Sequence, residues 1–226
     1  MRTTGPSAAI AAIVAGIQGQ GLWAGRRQLF VRFAAEAETA TLYSPEMLAR
    51  ALERALAAGG LHSVSLSGKD PAGCASFIAQ TWSVWSSPLP AMLDGDGQHP
   101  DAVAVLARIL ALVQVTVTLN EPPAFLERAV ETLRECARLK LDHALVIAIR
   151  DTGPDPRKDL PSDDVFARFV EEMHRASPGT KLVVHPAQGA DRGPFDRRYA
   201  TMVERAAAIH GDVMLSMRIP IPTGVR

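Results

Sequence analysis

A mainly parallel α/β fold is predicted by three observations. Strand-like and helix-like segments alternate almost without a break along the 226-residue chain. Such alternation builds a parallel sheet, either a partial barrel or an open doubly wound sheet. The segment Ala144–Ile149 is an unbroken apolar run, as expected of a parallel strand covered on both faces. The length suits one large domain over residues 1–226, near the lower limit for barrel-like architectures.

The elements follow in order. Leu29–Phe33 is rich in β-branched and aromatic residues and reads as a strand. Ser44 is an N-cap candidate with Pro45 at the first helical position; Leu48, Leu52 and Leu56 keep helical spacing, and Gly59-Gly60 ends the helix. His62–Ser67 is the second strand, Cys74–Trp85 a helix and Leu89–Leu93 the third strand. Asp101–Leu112 reads as a helix and Val113–Leu119 as a strand. Pro122-Pro123 opens a long helix to about Leu139, with Phe125, Leu126, Ala129, Val130 and Leu133 on one face. After the Ala144–Ile149 strand, Ser162 caps a helix to about Ala176. Lys181–His185, a helix over Phe195–Ile209 and a strand over Asp212–Met217 complete the alternation. The one long connection, Arg150–Pro161, follows a strand end, where sites in such folds form.

Composition excludes several classes. Basic and acidic residues balance at 24 each, and the arginines are scattered, which argues against a nucleic-acid surface. The apolar run Ala8–Ala15 is too short to span a bilayer, and Arg2 alone is a weak start for a signal peptide. No membrane association is expected, and the cytoplasm is the default location. Cys74 and Cys136 fall inside expected helices without metal-ligand spacing and read as small buried hydrophobes. His143, His174 and His210 read as surface or capping residues.

Several strand ends carry polar residues that could do chemistry. The second strand ends in Ser67, Gly68, Lys69, Asp70 and Pro71. Lys69 reads either as a solvated turn residue or as a cation for a carboxylate or phosphate. The Gly68-Lys69 pair is not a P-loop, because the upstream Gly and the following Ser/Thr are missing. The third strand ends in Asp94-Gly95-Asp96-Gly97-Gln98-His99-Pro100. Asp94, Asp96 and His99 offer a partial metal-ligand set; its incompleteness favours a polar loop facing a pocket, so no metal is expected. His185 is a further residue at the mouth, and Arg218 leads into a stiff Pro-Ile-Pro segment. The loop from Gln18 to Gly21 reads either as a hairpin against the sheet or as amide donors for a heterocycle. No nucleophile elbow and no dinucleotide fingerprint is present.

The run from Gly16 to Phe33, Gly-Ile-Gln-Gly-Gln-Gly-Leu-Trp-Ala-Gly-Arg-Arg-Gln-Leu-Phe-Val-Arg-Phe, resembles the opening signature of the 7-carboxy-7-deazaguanine synthases. These are small radical S-adenosylmethionine (SAM) enzymes. The resemblance runs weakly over nearly the whole chain. It implies a partial (β/α)6 barrel of the radical SAM type. It also implies that Gln18 and Arg32 help hold a substrate, whereas Gln20 replaces the family's Glu. Ser67, Gly68 and Pro71 resemble the family's Thr/Ser-Gly-Gly-Glu-Pro segment, whose Gly-Gly-Glu part meets the amino group of SAM. Lys69 replaces its second Gly and Asp70 its Glu. Asp94–Pro100 resembles the polar segment after the third strand.

In the family three cysteines follow the first strand and hold a 4Fe–4S cluster. Here Ala34–Tyr43 contains none. The expectation is therefore a degenerate member with no cluster and weak or no SAM binding. Two functions are compatible with it. One is a ligand-binding or accessory protein, partnered by a second copy or by an intact homologue. The other is an enzyme doing lyase or transferase chemistry without a cluster on a small anionic or SAM-like molecule. Three cations, Arg32, Lys69 and Arg218, against Asp94 and Asp96 point to a small anionic ligand at the mouth.

Overall fold

The computed structural model describes residues 5–57, 59–149, 162–186 and 197–216. Nine strands form one sheet: β1 (Ala8–Ile17), β2 (Arg27–Phe33), β3 (Thr41–Tyr43), β4 (Ser63–Gly68), β5 (Ala91–Gly95), β6 (Leu110–Val117), β7 (His143–Ile149), β8 (Lys181–Pro186) and β9 (Val213–Leu215). Six helices separate the later strands: α1 (Pro45–Leu56), α2 (Ala75–Val84), α3 (Pro100–Leu106), α4 (Pro123–Arg138), α5 (Asp163–Ala176) and α6 (Arg197–Ile209).

The strand order is β3-β1-β2-β4-β5-β6-β7-β8-β9. From β2 onward all neighbours are parallel and follow chain order. No step reverses direction, so there is no switch point of the doubly wound kind. Right-handed crossovers then put every helix on one face. The sheet stays open, with β3 on one edge and β9 on the other. This is a partial barrel of six β–α steps and a closing strand.

Alternation along each strand splits the sheet into two faces. Val31, Leu66, Leu93, Val115, Ile147 and Val184 point outward and pack with the helices in one core. The inner face carries Gln28, Ser65, Met92, Gln114, Val146 and Val183, all buried. Among the described residues no helix covers this face. The loop between β1 and β2, residues 18–26, does. It is pinned as a hairpin by Gln18 N donating to Arg26 O at 2.9 Å and Gly25 N to Gln18 O at 2.8 Å. Gly21, at φ +76, lies so close to Gln114 that a Cβ would overlap its side chain. Leu22 and Trp23 line an opening at the strand N-termini with Leu112, Lys181 and Met214, and Trp23 meets the His62 ring edge-on at 4.9 Å. The loop is therefore a hairpin packed against the sheet.

Local signals explain most boundaries. Ser44 Oγ accepts from Met47 N at 3.3 Å at the start of α1, and Ser162 Oγ accepts from Val165 N at 3.4 Å at the start of α5. One boundary is corrected. The expected helix over Asp101–Leu112 stops at Leu106, where Ile109 N donates to Leu106 O at 2.8 Å. Leu110–Leu112 instead joins β6, because Ala91 and Met92 of β5 offer backbone partners there and pairing overrides helical spacing. Two strands, the ten-residue β1 and the three-residue β3, were not anticipated. The run Ala8–Ala15 lies within β1, and Thr41–Tyr43 pairs with its start. The connection Arg150–Pro161, the first two residues of the expected Phe195–Ile209 helix, and Arg218 with its tail lie outside the described residues.

The histidine reading is also corrected: His143 and His210 are buried. His143 bonds Leu141 O and Ser177 Oγ, each at 2.7 Å, and burial holds its pKa below the usual value. His210 bonds Thr180 O at 2.6 Å and the His174 ring at 3.0 Å. Both cysteines are free; Cys136 is buried, and burial pushes its thiol up to about 12.

Candidate functional site

Parallel strands in chain order bring their C-terminal ends to one rim, and three of these ends converge on a cleft of about 300 Å³. β4 contributes Ser67 and Gly68, with Lys69 and Asp70 just beyond. β5 contributes Asp94 and Gly95, followed by Asp96. β6 contributes Thr116, and the plug loop contributes Gln20. Seven residues singled out in the sequence thus meet here: Gln20, Ser67, Gly68, Lys69, Asp70, Asp94 and Asp96.

The β4 turn is set by backbone geometry. Gly68 has φ +98, and Lys69 N donates to Phe33 O at 2.9 Å, tying the turn to the end of β2. Lys69 extends from this turn, is exposed, and makes no ion pair among the described residues. Asp70 is committed to structure. Its Oδ1 accepts from Gly73 N at 2.9 Å, opening the 3-10 turn before α2, and its carboxylate meets His99 Nε2 at 3.0 Å. His99 therefore faces Asp70 rather than completing a ligand set with Asp94 and Asp96. Among the described residues no three His, Cys, Asp or Glu side chains gather as a metal site.

Asp94 sits deepest. Its Oδ1 accepts from Gln114 Nε2 at 3.2 Å and Thr116 Oγ1 at 3.5 Å, and its Oδ2 from Gln18 Nε2 at 3.5 Å. Burial raises its pKa, against the downward pull of the Gln114, Gln18 and Thr116 donors. Asp94 thus holds a proton more readily than a free carboxyl does, at a surface open to the cleft. Asp96 is held by Gln98 N at 3.2 Å.

Three expected positions fall elsewhere. Arg32 is in register with Ser67, but it is exposed and paired with Glu38 in the loop after β2 rather than lining the cleft. Gln18 is buried and supports Asp94 from beneath. His185 is buried beside Ala148 at the far end of the rim, away from the cleft residues. Gln114 and Thr116 were missed. Their signal was legible: they are the polar inner-face positions of the alternating run Val113-Gln114-Val115-Thr116-Val117.

Asp94 gives a testable pH dependence. Its folded-state pKa is raised, so the folded protein binds this proton more tightly than the unfolded chain. The stability contribution is full at pH values below the unfolded pKa and is lost as pH rises through the folded one. Asp94→Asn removes that loss. Unfolding of both proteins in urea is expected to show the variant gaining on wild type as pH rises above about 4, the ordinary carboxyl value. A gap that stays constant or reverses contradicts the assignment.

No protein-family model matches the chain, and no curated protein matches it. Solved structures similar to it include several at 11–13% identity. A putative phosphonomutase from Burkholderia cenocepacia is 13% identical, with 76% of this chain and 75% of that one covered and a TM-score of 0.41. Pyruvate carboxylase from Rhizobium etli is 12% identical over 74% of this chain, which spans only 18% of that enzyme, with a TM-score of 0.36. A GH10 endoxylanase from a sugarcane soil metagenome is 11% identical, with 71% and 61% covered and a TM-score of 0.35. These likenesses concern fold alone; the chemistry rests on the cleft.

Proposed function

We propose that this chain is a cluster-less, radical-SAM-like barrel, related to the 7-carboxy-7-deazaguanine synthases, that binds a small anionic molecule as a ligand-binding or accessory protein. One observation carries the reading. A cation without an ion-pair partner among the described residues, Lys69, stands over a cleft at the strand C-termini whose other walls include Gln20, Ser67, Asp94, Asp96 and Thr116. Such a set suits a ligand with one carboxylate or phosphate for Lys69 and N–H or O–H groups for Asp96 and Asp94. Arg32 does not add to the anion's hold, since Glu38 already neutralises it.

The donor set does not fit an iron–sulfur cluster. A cluster of the family's type needs three or four thiolates at one place. The loop after β2 has none, Cys74 is half-buried before α2, and Cys136 is enclosed within α4. Lys69 and the committed Asp70 also speak against the amino-group site of SAM.

A thermal-shift screen of carboxylates, phosphates and nucleotides, with SAM in parallel, tests the reading. A ligand at 100 times its Kd adds about 2.7 kcal/mol, or roughly 5–10 °C for a chain of this size. At least one anion is expected to reach that shift, and SAM is not. A largest shift with SAM, or none with any anion, contradicts the proposal.

The raised pKa of Asp94 favours a second reading, an enzyme that uses this carboxyl as general acid or base in lyase or transferase chemistry. In that case Asp94→Asn keeps ligand affinity and abolishes turnover.

A further inference from the structure

The β1–β2 loop does not seal the N-terminal end of the barrel. An opening of about 280 Å³ remains there, at the opposite end of the strands from the cleft. Its size lies at the lower end of pockets that hold small ligands. Part of its lining is apolar: Leu22 and Trp23 of the loop, both half-buried, with Met214 of β9. The rest is charged. Lys181 opens β8, while Asp142 and Asp212 stand just before β7 and β9. The strand order β7-β8-β9 therefore places the lysine between the two acids. Asp142 O accepts from Val113 N and Asp212 O from Leu182 N, each at 2.9 Å, which fixes both acids on the rim. None of the three forms an ion pair among the described residues.

These charges decide the class of ligand. A simple anion would meet two carboxylates, and a simple cation would meet an ammonium group. A molecule with both charges answers all three, its carboxylate to Lys181 and its ammonium to Asp142 and Asp212. Trp23 and its apolar neighbours then take a nonpolar side group. We propose that this opening is a second ligand site, for a small zwitterion with an apolar side group, the chemistry of a free α-amino acid. It is separate from the anion site of the cleft and does not depend on it.

Calorimetry and tryptophan fluorescence with free leucine, methionine and phenylalanine test the proposal. The chain's other two tryptophans, Trp82 and Trp85, pack on each other with ring centroids 5.2 Å apart, so Trp23 reports on the opening. At least one amino acid is expected to bind with a Kd below about 1 mM and to change the emission, and Trp23→Phe is expected to abolish that change. The amide and the deaminated acid of the best binder each lack one charge and are expected to bind at least about tenfold more weakly. Lys181→Met is expected to lose affinity by a similar factor with unchanged circular dichroism; should it not fold, the analogues on wild type decide. Hydrogen–deuterium exchange with the bound amino acid is expected to slow at residues 22–24 and 181–182. Binding of none of the three below about 1 mM, analogues as tight as the amino acid, a folded Lys181→Met with full affinity, or protection at residues 67–71 in place of the opening would each overturn the proposal.

Discussion

Gly68→Ala is expected to destabilise the protein by about 2–4 kcal/mol, the sum of left-handed backbone strain and overpacking against a strand. The position combines both costs. Its φ is +98, and a Cβ would lie 2.3 Å from Phe33 O and 2.8 Å from Phe33 N. These are backbone atoms of β2, which cannot swing aside as a side-chain end does. The strain falls on the turn that presents Lys69, because Lys69 N is bonded to the same Phe33 O. The midpoint of thermal unfolding is expected to fall by roughly 5–15 °C. Gly179→Ala is the control, since a Cβ there meets nothing within 4 Å, and it is expected to stay within about 0.5 kcal/mol of wild type. Equal behaviour of the two variants would show that the β4 turn is not as tightly held as described.

The second large effect is on binding. Lys69→Glu is expected to weaken the best anionic ligand at least 10- to 100-fold, the equivalent of the roughly 1.5–3 kcal/mol carried by a hydrogen bond to a charged group. The side chain is exposed and has no ion-pair partner among the described residues, so its replacement leaves the folded protein largely unaffected. The charges nearby are Asp70, Asp94 and Asp96, and a glutamate would make the cleft wholly acidic. Arg32→Ala separates the cleft from the first strand's cation. Arg32 is tied to Glu38, and its loss is expected to change affinity less than about threefold, within the range of exposed ion pairs. Calorimetry on the three proteins reads both effects. A larger loss with Arg32→Ala than with Lys69→Glu would move the anion to the end of β2.

Much of this was legible in the sequence because local rules and tertiary structure agree. Ser44 and Ser162 cap the helices they were expected to cap, and the strand ends at Ser67–Asp70 and Asp94–Asp96 do share a rim. A strand-end position gives the level of a residue along the barrel but not its company. Arg32 and Ser67 stand level with each other, yet Glu38 in the next loop decides where the guanidinium goes. The fate of Leu110–Leu112 depended on backbone partners in β5 rather than on its own helical spacing. His143 and His210 resisted reading because their burial is set by Ser177 and Thr180, far away in the chain. Gln114 was overlooked for a different reason. A glutamine among valines looks like a weak spot in a strand until the loop that covers it is known.

The most direct test of the central claim, that the cleft at the ends of β4, β5 and β6 is the ligand site, is hydrogen–deuterium exchange of the wild-type protein with and without its tightest anion at saturation. Slowed exchange is expected in two stretches, residues 67–71 and 95–98, with weaker protection at 18–21 in the plug loop. Protection that skips both stretches and appears at the N-terminal opening around Trp23 and Lys181 would contradict the account.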